Sequence, residues 1–387
     1  MRVFRMVGTI IAVLGVFIGL QWYIGWNGSV FLSAVTDGNS GAVYWVFFWL
    51  IAFSYIISRL LERLIPGPLP RGLKWIGSYW FAVFEYSVLL LPVADLIVWI
   101  LLRTDTLSRE TAIIAVGSAV LAILAAILAR GSWNAWNPVV RHYSIVVNKQ
   151  AGQLKQLRIA AASDLHLGTI VGTRYLKLLV ERVNQLKPDI VLLPGDVIDD
   201  DVEPFRRLDL GSVMKGFKSR FGTYAVLGNH EYIGGKKEEF IALMAKAGIP
   251  VLTDQTTKIA DSFYLVGRKD KAAQSVRTGQ SGRLSIKELI GDLDQQLPLI
   301  MLDHQPSSIA EAADNGIDVS LHGHTHRGQM APNHLLTRRI FELDWGYLQK
   351  GKLHAIVSSG YGTWGPPIRI GSRSEIVDIT ISFEPLV

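Results

Sequence analysis

Four apolar runs in the first third of the chain restrict its fold before anything else does. Phe4 to Trp22, Val43 to Leu61, Trp75 to Leu102 and Thr111 to Ala129 are each long enough to cross a hydrocarbon core as a helix. They give the 387 residues a 49% hydrophobic content and a mean hydropathy of +0.28, too apolar for an ordinary soluble chain. The expectation is an all-α transmembrane bundle of four helices within residues 1–140, followed by a second domain over 141–387. Arg2 and Arg5 would suit the basic start of a signal peptide, but no small-x-small cleavage site follows and three more runs come after it. Trp22, Trp26, Trp75, Trp99, Trp133 and Trp136 stand near the ends of runs, where amphipathic rings favour the headgroup layer.

The third run carries Glu85, Pro92 and Asp95 inside an otherwise apolar stretch. Acids in a bilayer are costly and invite a reading as a relay or headgroup site. Interhelical hydrogen bonding beside a proline kink accounts for them more simply, because no basic partner lies within that run. Basic residues set the orientation: Arg2 and Arg5 stand at the start of the first run, and Arg59, Arg63, Arg71 and Lys74 surround the second loop. The first loop, Gly25 to Gly41, has none, while Arg103 and Arg109 fall in the third loop and Arg130 and Arg141 follow the last run. The expectation is a multi-pass cell-membrane protein with both termini and the large C-terminal domain on the cytoplasmic face.

Residues 1–150 hold 11 Lys plus Arg against 6 Asp plus Glu, and the remainder holds 28 against 27. The basic balance therefore belongs to the membrane part. A near-neutral second domain lacks the electrostatic footprint of a nucleic-acid binder, so nucleic acid is not an expected partner. The absence of cysteine excludes disulfides, thiolate metal sites and cysteine nucleophiles.

After a linker at Gly131 to Asn137 the pattern changes to strands. Tyr143 to Val147 and Leu154 to Ala162, with a turn between them, read as a hairpin. Arg174 to Leu186 has a helical stripe of Leu176, Leu179, Val180, Val183 and Leu186, stopped by Pro188. The second hairpin strand runs into SDLHLG, with Asp164 and His166 two residues apart and hence on one side of an extended backbone. A lone pair of this kind means little. Four more strand ends repeat the device: Asp196 and Asp199 in PGDVIDD, Asn229 and His230 in GNHE, His304 in DHQP, and His324 and His326 in HGHTH. Loops at one end of an α/β sheet converge, so these ligands can meet. Carboxylates, imidazoles and one amide suit manganese, iron or zinc, and seven candidate ligands suit two ions better than one. Gly195, Gly228 and Gly323 sit at the corners, where a missing Cβ permits close approach to a metal site.

These five ordered motifs resemble those of calcineurin-like metallophosphoesterases, from about Ile159 to the C-terminus. The tail SSGYGTWGPPIRIGSRSEI is similar to the YkuE-like branch. The resemblance implies an α/β fold, a four-layer αββα double β-sandwich, and two divalent metal ions as cofactors. It implies that Asp164, His166, Asp196 and His326 hold one ion and Asp196, Asn229, His304 and His324 the other, with Asp196 as the bridge. It further implies His230 beside the phosphate with Asp199 as its partner. His322 is read as supporting structure, because the ligand set is already full. The expected activity is hydrolysis of a phosphoester or pyrophosphate bond. Relatives that act on lipid-linked sugar diphosphates make a lipid headgroup the natural substrate, set against soluble phosphoesters and against a non-catalytic membrane sensor or scaffold.

Overall fold

The computed structural model describes residues 2–36, 38, 41–65, 67–274 and 282–384. The side chains of Arg2, Arg5 and Arg63, which carry part of the basic pattern used for orientation, lie outside the described residues. The chain divides into two compact units, Met1–Gly131 and Ser132–Val387.

The first unit is helical: α1 (Arg2–Thr36), α2 (Gly41–Ala52), α3 (Ser54–Leu64), α4 (Pro68–Arg103) and α5 (Arg109–Trp136). Three stretches are long and apolar enough to cross a membrane, namely Val7–Thr36, Pro68–Arg103 and Arg109–Trp136; a fourth counts only if the bent pair α2 and α3 is one span. The expected second helix is thus broken, with 58° between its halves. Ser54 Oγ bonds back to Ile51 O at 2.7 Å, and Phe53 adopts φ −101°, ψ 4°. A side chain competing for a helix carbonyl opens the ladder at that point. On α4, Gly77 faces Tyr55 so closely that a Cβ would lie 2.3 Å from the Tyr55 nitrogen, the small-residue contact that lets helices approach in lipid. Asp95 accepts a hydrogen bond from the Tyr23 hydroxyl of α1, so this acid has an interhelical partner. The segment expected as a linker is helix instead, because α5 continues to Trp136. Trp136 does not stay with the bilayer pattern; it packs edge-on against Tyr175 at 4.9 Å between ring centroids.

In the second unit the strands in chain order are β1 (Val139–Val147), β2 (Gln156–Ala161), β3 (Ile190–Pro194), β4 (Thr223–Val226), β5 (Val251–Leu252), β6 (Gln255–Ile259), β7 (Phe263–Gly267), β8 (Leu299–Leu302), β9 (Val319–His322), β10 (Gly346–Lys350), β11 (Leu353–Val357) and β12 (Glu375–Phe383). They form two six-stranded sheets, β1-β12-β2-β3-β4-β5 and β10-β11-β9-β8-β7-β6. The helices are α6 (Thr173–Gln185), α7 (Val202–Arg207), α8 (Leu210–Met214), α9 (Asn229–Ile233), α10 (Lys237–Lys246), α11 (Ile286–Ile290), α12 (Ile309–Asp314) and α13 (His334–Ile340). Ile159, Ile190, Val226 and Ile379 of the first sheet meet Phe263, Leu265, Ile300 and Leu321 of the second in one core. The outer face of the first sheet is covered by Leu176, Leu179 and Val183 of α6 with Phe205 and Phe240, and that of the second by Ile286, Ile290, Ile309 and Ala312. These are the four expected layers, and they explain why β3, IVLLP, is buried at every residue.

The expected hairpin does not form. β1 and β2 are separated by β12, which pairs in parallel with β1 and antiparallel with β2. The C-terminal strand is buried at seven of its nine residues and takes the inner place, leaving β1 at the edge with its alternating exposure. Because β2, β3 and β4 run parallel, as do β8 and β9, their C-terminal ends present the loops that follow them at one end of each sheet.

Candidate metal centre

Three of the five strand ends, those of β2, β3 and β9, deliver their polar residues through a distorted backbone. Asp164, His166, Asp196, His324 and His326 have φ of 52°, 45°, 50°, 73° and 48°. The left-handed region costs non-glycine residues roughly 1–3 kcal/mol each, and such strain gathers at functional sites. Two glycines make room for the carboxylates. A Cβ on Gly228 would stand 2.1 Å from Asp196 Oδ1, and one on Gly323 would stand 2.2 Å from Asp164 Oδ2.

The side chains gather in three groups, in each of which one ligand atom per residue lies within 4.8 Å of the others: Asp164, His166 and His326; His166, Asp199 and His230; and Asp196, His304 and His324, which adjoins the first where the His324 amide donates to Asp164 Oδ1 at 2.8 Å. His166 Nε2 lies 3.0 Å from His326 Nε2, and His326 Nε2 lies 3.6 Å from Asp164 Oδ1. In the second group His304 Nε2 is 3.0 Å from Asp196 Oδ2, while Asn229 Oδ1 lies 3.2 Å from His304 Nε2 and 2.8 Å from His324 Nδ1. His304 is aimed by its other nitrogen, which donates to Pro194 O at 2.8 Å. All seven expected ligands therefore lie in one cluster.

Burial sets the charges. It pushes the His166 ring down to about 3 and the His324 ring down to about 4, and holds His326 well below the ordinary imidazole value, so these rings keep free lone pairs. Burial opposes ionisation of Asp196, but His304, His230 and His166 outweigh it and hold its carboxyl well below the usual range. His304 is displaced the other way: burial disfavours its charge, yet Asp196 and Asp164 raise it well above the ordinary value. The 3.0 Å contact between Asp196 Oδ2 and His304 Nε2 thus marks a place where a cation fits. Asp164 Oδ2 and His166 Nδ1 are buried without a hydrogen-bond partner, the condition a metal ion would relieve. The residues present fit a pair of divalent ions.

His230 is the exception among the imidazoles. Burial disfavours its charge, but the hydrogen bond that its ring donates to Asp200 and the charges of Asp196, Asp200 and Asp199 raise it to about 9. Its Nδ1 lies 2.7 Å from Asp200 Oδ1. The expected partner was Asp199, and this is corrected: Asp199 Oδ1 lies 3.9 Å from His166 Nδ1 instead. Three consecutive aspartates, Asp199 to Asp201, occupy the loop, and only its path past α9 selects the middle one. His322 has both nitrogens engaged, with Asp303 O at 2.6 Å and Ser320 Oγ at 2.9 Å, so it braces β9.

Other residues were not singled out from the sequence. Glu231, buried and pushed up to about 8 by burial and by Asp196, accepts from the amides of Asp196 (3.2 Å), Gly228 (2.7 Å) and Ile198 (3.0 Å), tying two ligand loops together. Its place in GNHE was the available signal. Arg369, fully buried, lies 3.2 Å from His326 Nδ1 and donates to Gly362 O at 2.6 Å. Gly362 in turn donates its amide to Asp164 O at 2.8 Å, so the glycine-rich tail loop flanks the site. Trp364 of the same loop stands 6.1 Å from His230 between ring centroids.

Residues 157–328 match the family model described as calcineurin-like phosphoesterase. A transmembrane protein with metallophosphoesterase domain from Danio rerio is 32% identical over 282 residues, covering 70% of this chain and 63% of that protein. An uncharacterized metallophosphoesterase of Aquifex aeolicus (strain VF5) is 33% identical over 230 residues, covering 58% of this chain and 85% of that protein. The uncharacterized metallophosphoesterase YkuE of Bacillus subtilis (strain 168) is 27% identical over 230 residues, 58% of this chain and 78% of that protein. The chain spans 63%, 59% and 58% of the lengths of its Danio rerio, Helicobacter pylori (strain J99 / ATCC 700824) and Bos taurus relatives.

Proposed function

Because this chain belongs to the calcineurin-like phosphoesterase family, we propose that it is a membrane-anchored, two-metal hydrolase of a phosphoester or pyrophosphate bond. The observation that carries the proposal is the junction of the two ligand groups at an ionised Asp196, whose Oδ2 meets His304 and whose Oδ1 accepts the His230 amide at 2.9 Å, with the uncharged rings of His166, His324 and His326 in the same groups. Asp164, His166, Asp196 and His326 would hold one ion, and Asp196, Asn229, His304 and His324 the other. When bound, the two ions supply Lewis-acid polarisation of the phosphoryl group and activation of water.

The chain's own residues do the rest. Asp200 keeps the His230 ring protonated and turned, so that its Nε2–H is a donor for the phosphate or for the departing oxygen. Glu231 fixes the spacing of the loops that bear Asp196 and Asn229. Trp364 covers the His230 side with an apolar ring. Manganese is the metal proposed for assay, and a phosphate in a lipid headgroup or a lipid-linked nucleotide sugar is the proposed substrate. Its support is that α5, an apolar helix, continues past Gly131 into the catalytic unit. The proposed orientation is multi-pass with the catalytic unit cytoplasmic, supported by the basic residues of 59–74 and 130–141.

The test is hydrolysis of an aryl phosphate and of a diphosphate ester by the full chain, with manganese and after thorough chelation. Turnover that survives chelation would remove the two-metal reading. Reporter fusions after Arg141 and within 25–41 test the orientation; export of the first would reverse it.

A further inference from the structure

The catalytic unit covers most of its large apolar side chains, and three of the exposed ones share one short helix. Leu335, Leu336 and Ile340 of α13 are 56%, 63% and 71% exposed, and no residue of the helix is buried. Scattered exposed leucines need no explanation, whereas three in one short helix form a patch that does. At about 100° per residue they fall within roughly 140° of arc, while Thr337, on the other side, bonds Asp344 Oδ2 at 2.7 Å and fixes the inner face. Arg338 and Arg339 on the same helix supply the positive charge that anionic headgroups attract.

The helix also stands beside the chemistry. Phe341, the next residue, packs edge-on against the His324 ring at 5.9 Å. Trp364, 59% exposed, stands over His230. The part of α5 that belongs to this unit is tied into the same corner: Asn134 Nδ2 donates to Arg369 O at 3.0 Å, and the adjacent Ile370 accepts from the Ala331 amide at 2.9 Å, just before α13 begins. Within this unit, Arg369 and Ile370 thus link Asn134 to the residues just before α13.

We infer that α13, with Trp364, is a bilayer-contacting rim of the site: Leu335, Leu336 and Ile340 enter the acyl-chain boundary, and a lipid phosphate is drawn from the headgroup layer toward His324 and His230. This rests on the phosphoesterase reading for its catalytic consequence, but its physical claim is separable. The occupant is the lipid surface itself, since the patch pairs apolar side chains with two arginines in a chain that also carries helices long enough to cross a membrane.

The chain has no cysteine, so a single label can be placed without background. Full-length Leu336→Cys, labelled with an environment-sensitive fluorophore in phosphatidylcholine–phosphatidate nanodiscs, is expected to be quenched by lipids carrying a nitroxide on the acyl chain. Gln185→Cys, at the end of α6 and remote from the strand ends that bear the ligands, is expected to be unaffected. An unquenched label at 336, or one quenched only by a spin-labelled second copy of the chain, overturns the rim. In the second arm L335E/L336E is compared with the parent, both with manganese, on phosphatidate in vesicles and on p-nitrophenyl phosphate. The expected result is a loss of about tenfold or more on the lipid with the soluble ester unchanged. Equal activity of parent and variant on the lipid overturns the delivery role, whereas a parent inert on both esters overturns the phosphoesterase reading and leaves the quenching result to decide the rim.

Discussion

The Nδ1 of His230 and the Oδ1 of Asp200 are 2.7 Å apart, and this pair joins the helix that begins at Asn229 to the loop that carries Asp196. The carboxylate orients the ring and favours its charged form, so Asp200→Asn is expected to lower kcat by about 10- to 100-fold, the usual cost of losing an orienting partner. The loss should be larger for alkyl than for aryl phosphates, because a poor leaving group needs the proton more. Asp199→Asn should keep the parent's leaving-group dependence. If the two variants respond alike, Asp200 is not the residue that serves His230.

His230→Ala is expected to retain most bound metal and to lose roughly 10²- to 10⁴-fold in rate. Metal content and a series of leaving groups separate the two outcomes. A loss that is uniform across the series would mean that His230 positions the phosphate and does not protonate the departing oxygen.

Gly228→Ala tests the packing behind Asp196. The added methyl would stand 2.1 Å from Asp196 Oδ1 and 2.6 Å from its backbone nitrogen, so the carboxylate must leave its place. Bound metal and activity should fall by about 10- to 100-fold while far-ultraviolet circular dichroism stays unchanged. Asp196→Ala should lose both metals and all turnover. Full metal occupancy in either variant would contradict the central role given to Asp196.

Stability under acid should depend on Asp378, which lies outside the metal cluster. It is buried on β12, takes two hydrogen bonds from Arg158 at 2.9 and 2.8 Å, and lies 2.7 Å from His142 Nδ1. Burial opposes its ionisation, but Arg158 and His142 overcome it and hold the carboxyl below its ordinary value. A folded value below the unfolded one, about 3.9, adds stability that is present above that pH and is lost as pH falls through the folded value. Asp378→Asn should cost about 1–3 kcal/mol at neutral pH and progressively less below about pH 4. Thermal unfolding of metal-free protein in detergent measures it. A parent-to-variant gap that is constant down to pH 3, about one unit below that reference, would show that packing, not charge, is at stake.

What the sequence determined by itself follows from local rules. Apolar runs of bilayer length, strands that end abruptly in polar residues, and glycines at the corners are each legible one segment at a time, because hydrophobic burial and backbone freedom are properties of short stretches. So the layers, the approximate strands and the seven-residue cluster could be expected from Asp164 to His326 without coordinates. Three features were decided only by tertiary structure. β12 displaces the hairpin because strand order depends on which partners bury both faces of a strand, and its partners are over two hundred residues away. The bend at Phe53 rests on a serine hydroxyl capturing one carbonyl within a run whose apolar pattern continues through it. The choice of Asp200 over Asp199 depends on a positive φ, 56°, at Asp200 and on where α9 sets the His230 ring. Three like residues in a row carry no periodic signal that distinguishes them, so only the folded path of the loop, fixed by contacts remote in sequence, decides which carboxylate reaches the imidazole.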